Sequence, residues 1–264
     1  MTDSPVLYAV ADGVATITLN RPDAMNSLDV ATKVALREAV TNAAEDTDVR
    51  CVVLTGNGRA FCVGQDLKEH ITILESSSAD ELFDTVEVHY NPTVTSLATM
   101  PKPVIAAVNG VAAGAGASLA FACDFRVLAE PAGFNLAFTG VALSCDTGSS
   151  WTLQRLVGRA KAIDLLYFPR TLSAAESLEL GLASKVVPAA ELEAEVGRLA
   201  QHLATGPTVA FGAIRRSVDY SAGAGFEDAL AFESKMMTLT GATEDHRAAV
   251  EAFVGKQKPV FRGR

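Results

Sequence analysis

The chain lacks several features that would assign it to a functional class at once. Its four cysteines form no C-x-x-C pair, and its four histidines show no spacing typical of metal ligands, so no metal site is expected. No apolar run reaches the ~18 residues that a membrane-spanning helix needs. The formal net charge is −9, which argues against a general nucleic-acid binder because such proteins carry a basic face.

The start of the chain shows no basic stretch followed by an apolar one, as a secretory signal would. We therefore expect a cytoplasmic protein whose scattered cysteines stay as free, mostly buried thiols. The 264 residues are enough for one large domain, or for one domain with a small appendage. Because 49% of the residues are hydrophobic, a sizeable core can form.

The hydrophobic patterns predict an α/β fold that ends in a helical tail. Alternation over 14–20 predicts a strand, Asp29 is the expected N-cap of the helix after it, and the apolar run 51–56 predicts a buried strand. Two more buried strands are expected within 102–110 and 124–130. From Ser149 onward the periodicity is almost entirely helical, with helices expected near 149–158, 159–168, 173–181, 189–204, 207–220, 225–239 and 243–254.

The stretch NGVAAGAGASLAFACD, residues 109–124, contains three glycines and six alanines. One interpretation is a dinucleotide-binding turn, with Glu130 as the acid that binds the ribose. Only about eight residues separate Gly116 from the next strand, which is too short for a full crossover helix. A second interpretation is close packing of a helix on the sheet, with no function.

The third interpretation is an oxyanion site. Amide N–H groups at a helix N-terminus have no intrahelical partner, and small residues let a carbonyl oxygen reach them. Two such donors can stabilise a developing enolate by roughly 3–4 kcal/mol each. The second donor is expected in RAFCVGQDLKEH, residues 59–70, which also places a glycine turn after a buried strand.

Two motifs together, AFCVGQDL and NGVAAGAG, resemble the crotonase (enoyl-CoA hydratase/isomerase) family. The segments ITLNRPDAMNSLD, LVGRAKAIDLLYFPRTLSAAESLELGLASKVVP and FVGKQKPVFRGR are similar to further parts of that family in the same order. The resemblance implies a spiral of ββα turns over 1–200 and a helical trimerisation region over 201–264. It also implies an acyl-CoA thioester as substrate, no separate cofactor because coenzyme A is part of the substrate, and a homotrimer or a dimer of trimers.

The resemblance also implies a set of site residues. The amides of Gln65 and Ala115 would form the oxyanion hole, although the family usually has alanine where this chain has Gln65. Candidates for the phosphates of coenzyme A are Arg21, Lys68, Lys256 and Lys258. The further residues implied to contact the substrate are Ala24, Met25, Leu28, Val63, Asp66, Leu67, Gly110, Gly114, Ser118 and Phe138.

Family hydratases use two glutamates, and this chain has Ser118 and Phe138 in their places. Neither side chain can act as a carboxylate does, so hydration is not expected. Asp146 is the only acid between Glu130 and Asp164. It is either a helix N-cap or turn acid, or the single acid/base that family isomerases carry at the matching place, with a pKa raised by Phe138 and other apolar neighbours.

Two other functions stay open within the resemblance. Aryl-CoA dehalogenases of the family place a nucleophilic aspartate at the position of Asp146, but they need an aryl pocket, and this chain has one tryptophan and four tyrosines. A non-catalytic acyl-CoA binder is the alternative from a different class, because both hydratase glutamates are absent.

Overall fold

The computed structural model describes residues 4–76 and 78–264, and its strands form two sheets. The first sheet has six strands in the spatial order β1 (Val6–Ala11), β2 (Val14–Leu19), β3 (Cys51–Gly56), β5 (Val104–Val108), β7 (Phe125–Ala129) and β10 (Lys185–Val187). The second has four in the order β4 (Ala60–Cys62), β6 (Val111–Ala113), β8 (Gly133–Asn135) and β9 (Leu172–Ser173).

Each turn of the chain adds one strand to each sheet. Strands β3 and β4, then β5 and β6, then β7 and β8 are consecutive pairs, and the strands within each sheet run parallel across these turns. The antiparallel pairs are the β1–β2 hairpin, which turns at Asp12 and Gly13 with positive φ angles, and the short β8–β9 pair. The chain is thus the spiral of ββα turns that the resemblance implies.

Helices cover the sheets and form the end of the chain. They are α1 (Val30–Glu45), α2 (Leu67–Ser76), α3 (Ala79–Thr85), α4 (Asn91–Thr99), α5 (Ala115–Phe121), α6 (Ser149–Tyr167), α7 (Ala174–Glu179), α8 (Leu192–Ala204), α9 (Thr208–Ser221), α10 (Phe226–Gly241) and α11 (Glu244–Val254). A π-helical segment, Val86–Tyr90, joins α3 to α4, and short 3₁₀ turns cover Pro22–Ala24, Ala137–Val141 and Ala189–Glu191. Among the described residues, no helix combines the length and apolarity that crossing a membrane requires.

Several expectations from the sequence are confirmed. Asp29 caps α1, since its carboxylate accepts a hydrogen bond of 2.8 Å from the amide of Thr32. Every residue of β5 is buried, as its continuous apolar run predicts. The four cysteines are free, and burial raises the pKa of Cys51, Cys62 and Cys123 to about 12, so these thiols behave as small buried hydrophobic groups.

The expectation of an almost entirely helical segment after Ser149 is wrong at β9 and β10. These strands have two and three residues, too few to show a periodicity, and their pairing partners β8 and β7 lie far away in the sequence. By contrast, the two helices expected on either side of Gly158 are present within α6, because the non-helical backbone of Gly158 (φ 77°, ψ 157°) divides α6 in two. The division at residue 200 stays a prediction, and α8, which contacts β3 and β5, extends across it.

Candidate active site

A cavity of about 580 Å³ opens where β4 and β6 end. Seven of the residues implied by the resemblance line it: Val63, Gln65, Leu67, Gly114, Ala115, Phe138 and Asp146. Most of the remaining wall is apolar and comes from α2, α3 and the π-helical segment, through Ile71, Leu74, Leu82, Phe83 and Val86. The volume lies in the ordinary range for small-molecule sites.

Two peptide amides lie side by side at this cavity. Gly64 has a φ of +84°, and a Cβ atom on it would meet the amide nitrogen of Ala115 at 3.3 Å. The amide N–H groups of Gln65 and Ala115 donate no hydrogen bond to any residue in the described parts of the chain. The peptide around Gln65 is held in place because Leu28 bonds to the carbonyl of Gly64 at 2.8 Å and Asp66 bonds to the carbonyl of Leu28 at 3.1 Å. This arrangement can bind an oxyanion.

Backbone packing explains two of the three glycines of the 109–124 stretch, whereas the third, Gly114, has a φ of +51° and open space beside it. A Cβ atom on Gly110 would lie 2.1 Å from the carbonyl oxygen of Arg59, and one on Gly116 would lie 2.1 Å from that of Cys62. Only glycine allows the start of α5 to approach β4 this closely. Since both glycines pack against protein backbone, they leave no room for a pyrophosphate, and the dinucleotide interpretation loses its geometric basis.

Asp146 faces the same cavity as the two amides. The N-cap of α6 is Gly148, with no side-chain cap, so the interpretation of Asp146 as the N-cap is wrong. Its carboxylate accepts one hydrogen bond of 2.9 Å from the hydroxyl of Thr147 and forms no ion pair with the residues that the structure describes. Burial raises the pKa of Asp146, and the Thr147 hydrogen bond only partly offsets this effect.

Of the two residues that replace the hydratase glutamates, Phe138 lines the cavity and Ser118 does not. Phe138 is 8% exposed and lines the same cavity as Asp146. Ser118 is fully buried outside the cavity lining, and its hydroxyl bonds to the carbonyl of Gly114 and to Ser149. The geometry therefore does not support a direct contact between Ser118 and the substrate.

Arg21 joins two segments of the region that the resemblance implies as the coenzyme A site, those that contain Asp29 and Asp66. Its guanidinium lies 3.1 Å from the carboxylate of Asp29 and 3.0 Å from that of Asp66. Burial opposes ionisation of Asp66, but hydrogen bonds from Ser27 and Arg21 hold its pKa below the usual value. Arg21 thus has two carboxylate partners already, which leaves it poorly suited as a phosphate ligand, whereas Lys68 is exposed.

The other implied substrate contacts outside the cavity lining are Ala24, Met25, Leu28, Asp66 and Gly110. Ala24 ends the 3₁₀ turn beside Arg21, and Met25 caps that turn in a left-handed conformation with a φ of 52°. Leu28 is fully buried, so only its backbone is placed to help shape the site. The exposed Lys256 and Lys258 lie beyond α11.

Sequence reasoning missed three residues around Gln65. The side-chain oxygen of Gln65 accepts hydrogen bonds from the hydroxyl of Tyr90 at 2.6 Å and from the ammonium of Lys33 at 3.3 Å, and Lys33 also donates to Thr85 at 2.8 Å. Burial lowers the pKa of Lys33, although Glu69 opposes this. One signal was available: Lys33 shares the buried face of α1 with Leu36 and Val40, where a charge is unusual.

The spiral of ββα turns defines the class of the protein by its fold, which is the crotonase fold. Residues 9–264 match the family model described as enoyl-CoA hydratase/isomerase, so the chain belongs to the enoyl-CoA hydratase/isomerase family. Among its curated relatives is the 1,2-epoxyphenylacetyl-CoA isomerase of Escherichia coli K12, which is 40% identical over 259 residues, 98% of each chain.

Solved structures agree with this assignment. A Mycobacterium abscessus protein of the enoyl-CoA hydratase/isomerase type superposes with a TM-score of 0.94 at 40% identity, over 98% of this chain and all of that one. The enoyl-CoA hydratase of Bacillus anthracis superposes with a TM-score of 0.92 at 32% identity, with the same coverage. The fold of the family is therefore shared along almost the whole chain.

Proposed function

We propose that this protein is an enoyl-CoA isomerase in which Asp146 is the only acid/base. The observation that carries the proposal is that Asp146 lines the same cavity as the free amides of Gln65 and Ala115. The side chains that replace the hydratase glutamates, Ser118 and Phe138, are a hydroxyl and a phenyl ring. One carboxylate can shift a double bond, whereas family hydratases use two, and Asp146 is the one carboxylate among the described residues that line this cavity.

The reaction follows from this arrangement. The acyl thioester places its carbonyl oxygen between the amides of Gln65 and Ala115. The carboxylate of Asp146 removes a proton from the carbon next to the carbonyl, or from one further along the conjugated chain, and the electron pair moves onto the thioester oxygen as an enolate. The two amides stabilise this charge. Asp146, now protonated, returns the proton to a different carbon, and the double bond has moved with no net gain or loss of atoms.

The environment of Asp146 suits this role. Its pKa is raised by burial, which brings the carboxyl group closer to the working pH and makes it a stronger base. The isomerase name of the Escherichia coli relative also favours isomerisation over hydration. The alternative, a non-catalytic acyl-CoA binder, is favoured only by the absence of the two glutamates.

A homotrimer or a dimer of trimers is part of the proposal. The last helices carry large apolar side chains that the single chain leaves in solvent, including Phe226, Met237 and Phe253, which are 78%, 73% and 85% exposed. Apolar groups in such number on neighbouring helices are typical of a buried subunit interface. Coenzyme A enters as part of the substrate, with no other cofactor, and a cytoplasmic location stays a prediction.

The test is solvent deuterium incorporation into 2-enoyl- and 3-enoyl-CoA substrates, together with the shift of the double bond. We expect Asp146→Asn to lose ~10²-fold or more in rate while it still binds CoA esters. Asp164→Asn is the matched control, because Asp164 lies on α6 with an exposed side chain and should leave the rate unchanged. If the wild-type protein binds CoA esters but exchanges no proton, the binder alternative is correct.

A further inference from the structure

The side chain of Gln65 is held by two hydrogen-bond donors from different elements. The hydroxyl of Tyr90, at the end of the π-helical segment, lies 2.6 Å from its side-chain oxygen, and the ammonium of Lys33, on α1, lies 3.3 Å from the same atom. Lys33 itself bonds to Thr85 at 2.8 Å and lies 3.8 Å from a carboxylate oxygen of Glu69. The Gln65 side chain therefore has one preferred position.

The orientation of the Gln65 amide follows from the chemistry of Lys33. An ammonium group has three donors and no acceptor, so it must face the oxygen of the amide and not the nitrogen. The nitrogen Nε2 is thereby turned away from Lys33. It makes no hydrogen bond with any residue in the described parts of the chain, so two N–H donors of a fixed side chain are left without a partner.

This donor belongs to a residue that lines the substrate cavity. Gln65 and Tyr90 both line it, and the wall beyond them is mainly apolar, with Leu67, Leu82 and Val86. Gln65 also borders a smaller pocket of about 150 Å³ with Lys33 and Thr85, so its side chain lies between the two spaces. A hydrocarbon acyl chain that reaches Nε2 from the larger cavity would displace water from it and give it no acceptor in return. Leaving a buried donor unpaired disfavours binding, whereas an oxygen atom at that place would accept the hydrogen bond.

We propose that the side-chain amide of Gln65, fixed by Lys33 and Tyr90, is a specificity-determining donor that selects acyl groups bearing an oxygen atom. The inference rests on the proposed function, because it assumes that the amide N–H of Gln65 binds the thioester oxygen. Since one residue then supplies both donors, the selected oxygen must lie within reach of a single glutamine side chain from the thioester, on C3 or C4 of the acyl group. The favoured substrates are hydroxy-, oxo- or epoxy-acyl-CoA thioesters.

The test measures equilibrium binding in the Asp146→Asn background, so that no ligand is turned over. Dissociation constants are determined by calorimetry for hexanoyl-CoA, 3-hydroxyhexanoyl-CoA and 4-oxohexanoyl-CoA. We expect at least one oxygenated ester to bind ~10-fold or more tightly than hexanoyl-CoA. Adding Gln65→Met, which keeps the backbone amide and the side-chain length, should reduce this preference to within about two-fold, mainly through weaker binding of the oxygenated ester.

Two further variants make the result specific. Gln154→Met is the matched control, because Gln154 is exposed on α6 and should leave the preference intact. Tyr90→Phe removes one of the two donors that hold Gln65 and should give an intermediate preference. If the Gln65→Met protein does not fold, Gln65→Asn is used. Its shorter side chain moves the amide away from the acyl group, so the same loss of preference for oxygenated esters is expected.

Three outcomes would overturn the inference. The first is that both oxygenated esters bind no better than hexanoyl-CoA before Gln65 is changed. The second is a preference that survives Gln65→Met. The third is that Gln65→Met weakens the binding of all three ligands equally, which would mean that the side chain only positions the backbone amide. None of these outcomes depends on isomerase activity, which the deuterium experiment on Asp146 tests separately.

Discussion

Replacing Gly116 by alanine tests whether close backbone packing sets the geometry of the proposed oxyanion site. The new Cβ atom would lie 2.1 Å from the carbonyl oxygen of Cys62 and 2.8 Å from its Cβ atom. Carbon and oxygen atoms in ordinary contact are ~3.5 Å apart, so α5 and β4 must separate by about 1 Å or more. Ala115 begins α5, and Gln65 follows β4 by three residues, so the two amides would move apart.

The expected loss of activity is large. A misplacement of about 1 Å can reduce the rate ~10²-fold, and removal of one oxyanion donor costs ~10²–10³-fold. We therefore expect kcat to fall by ~10²–10³ in Gly116→Ala. The free energy of unfolding should fall by about 1–3 kcal/mol, because the clash outweighs the gain of about 1 kcal/mol that alanine brings to a helix interior.

The assay combines double-bond isomerisation with urea unfolding. The control is Gly197→Ala on α8, where a Cβ atom would meet nothing within 4 Å. This variant should keep full activity and gain about 0.5–1 kcal/mol of stability. If Gly116→Ala folds and keeps kcat within three-fold of the wild type, close approach of α5 to β4 does not set the oxyanion geometry, and our reasoning is refuted.

Four further predictions concern three residues, Asp146, Asp29 and Arg126. Because burial raises the pKa of Asp146, kcat/KM should fall on the acid side at a pH above the usual aspartate pKa; an acid limb at or below that value would contradict this. The same raised pKa means that ionised Asp146 destabilises the folded state at neutral pH, so Asp146→Asn should raise Tm at pH 7. In calorimetric scans this gain should shrink as the pH falls through the raised pKa and vanish below about pH 4, where the carboxyl group is protonated in both states. Asp29→Ala removes the N-cap of α1 and should cost about 1 kcal/mol in urea unfolding. Arg126→Met leaves the carbonyls of Leu182 and Cys123 without their buried donor, at 2.7 and 2.6 Å, and should cost about 2–3 kcal/mol, a loss that a Tm equal to that of the wild type would exclude.

The predictable part of the fold consists of elements with a local signal. The long helices and the buried strands β3, β5 and β7 were expected from apolar runs and periodicity, and Asp29 from its place before a helix. The strands of the second sheet were not predicted, because none exceeds three residues and so short a segment shows no periodicity. Their pairing depends on how each turn of the spiral stacks on the one before.

The candidate site shows the same division. The two glycine turns pointed to segments with free amides, and the resemblance of these two motifs to the family then implied Gln65 and Ala115. Asp146 was accessible as the one acid of its segment, but its exclusion from the N-cap of α6 depends on Gly148 taking that position. Ser118 was expected at the substrate, yet it is buried, because its place on α5 turns it toward Ser149 instead of toward the cavity.

The sequence by itself determined the family, the long helices, the buried strands β3, β5 and β7, the candidate backbone donors and the loss of the hydratase glutamates, because each depends on residues close together in the chain. Only the tertiary structure decided what surrounds those donors. Lys33 and Tyr90 lie 32 and 25 residues away from Gln65 and meet its side chain from two different elements. Such a meeting depends on the packing of α1 and the π-helical segment against the end of β4, and no local pattern encodes it.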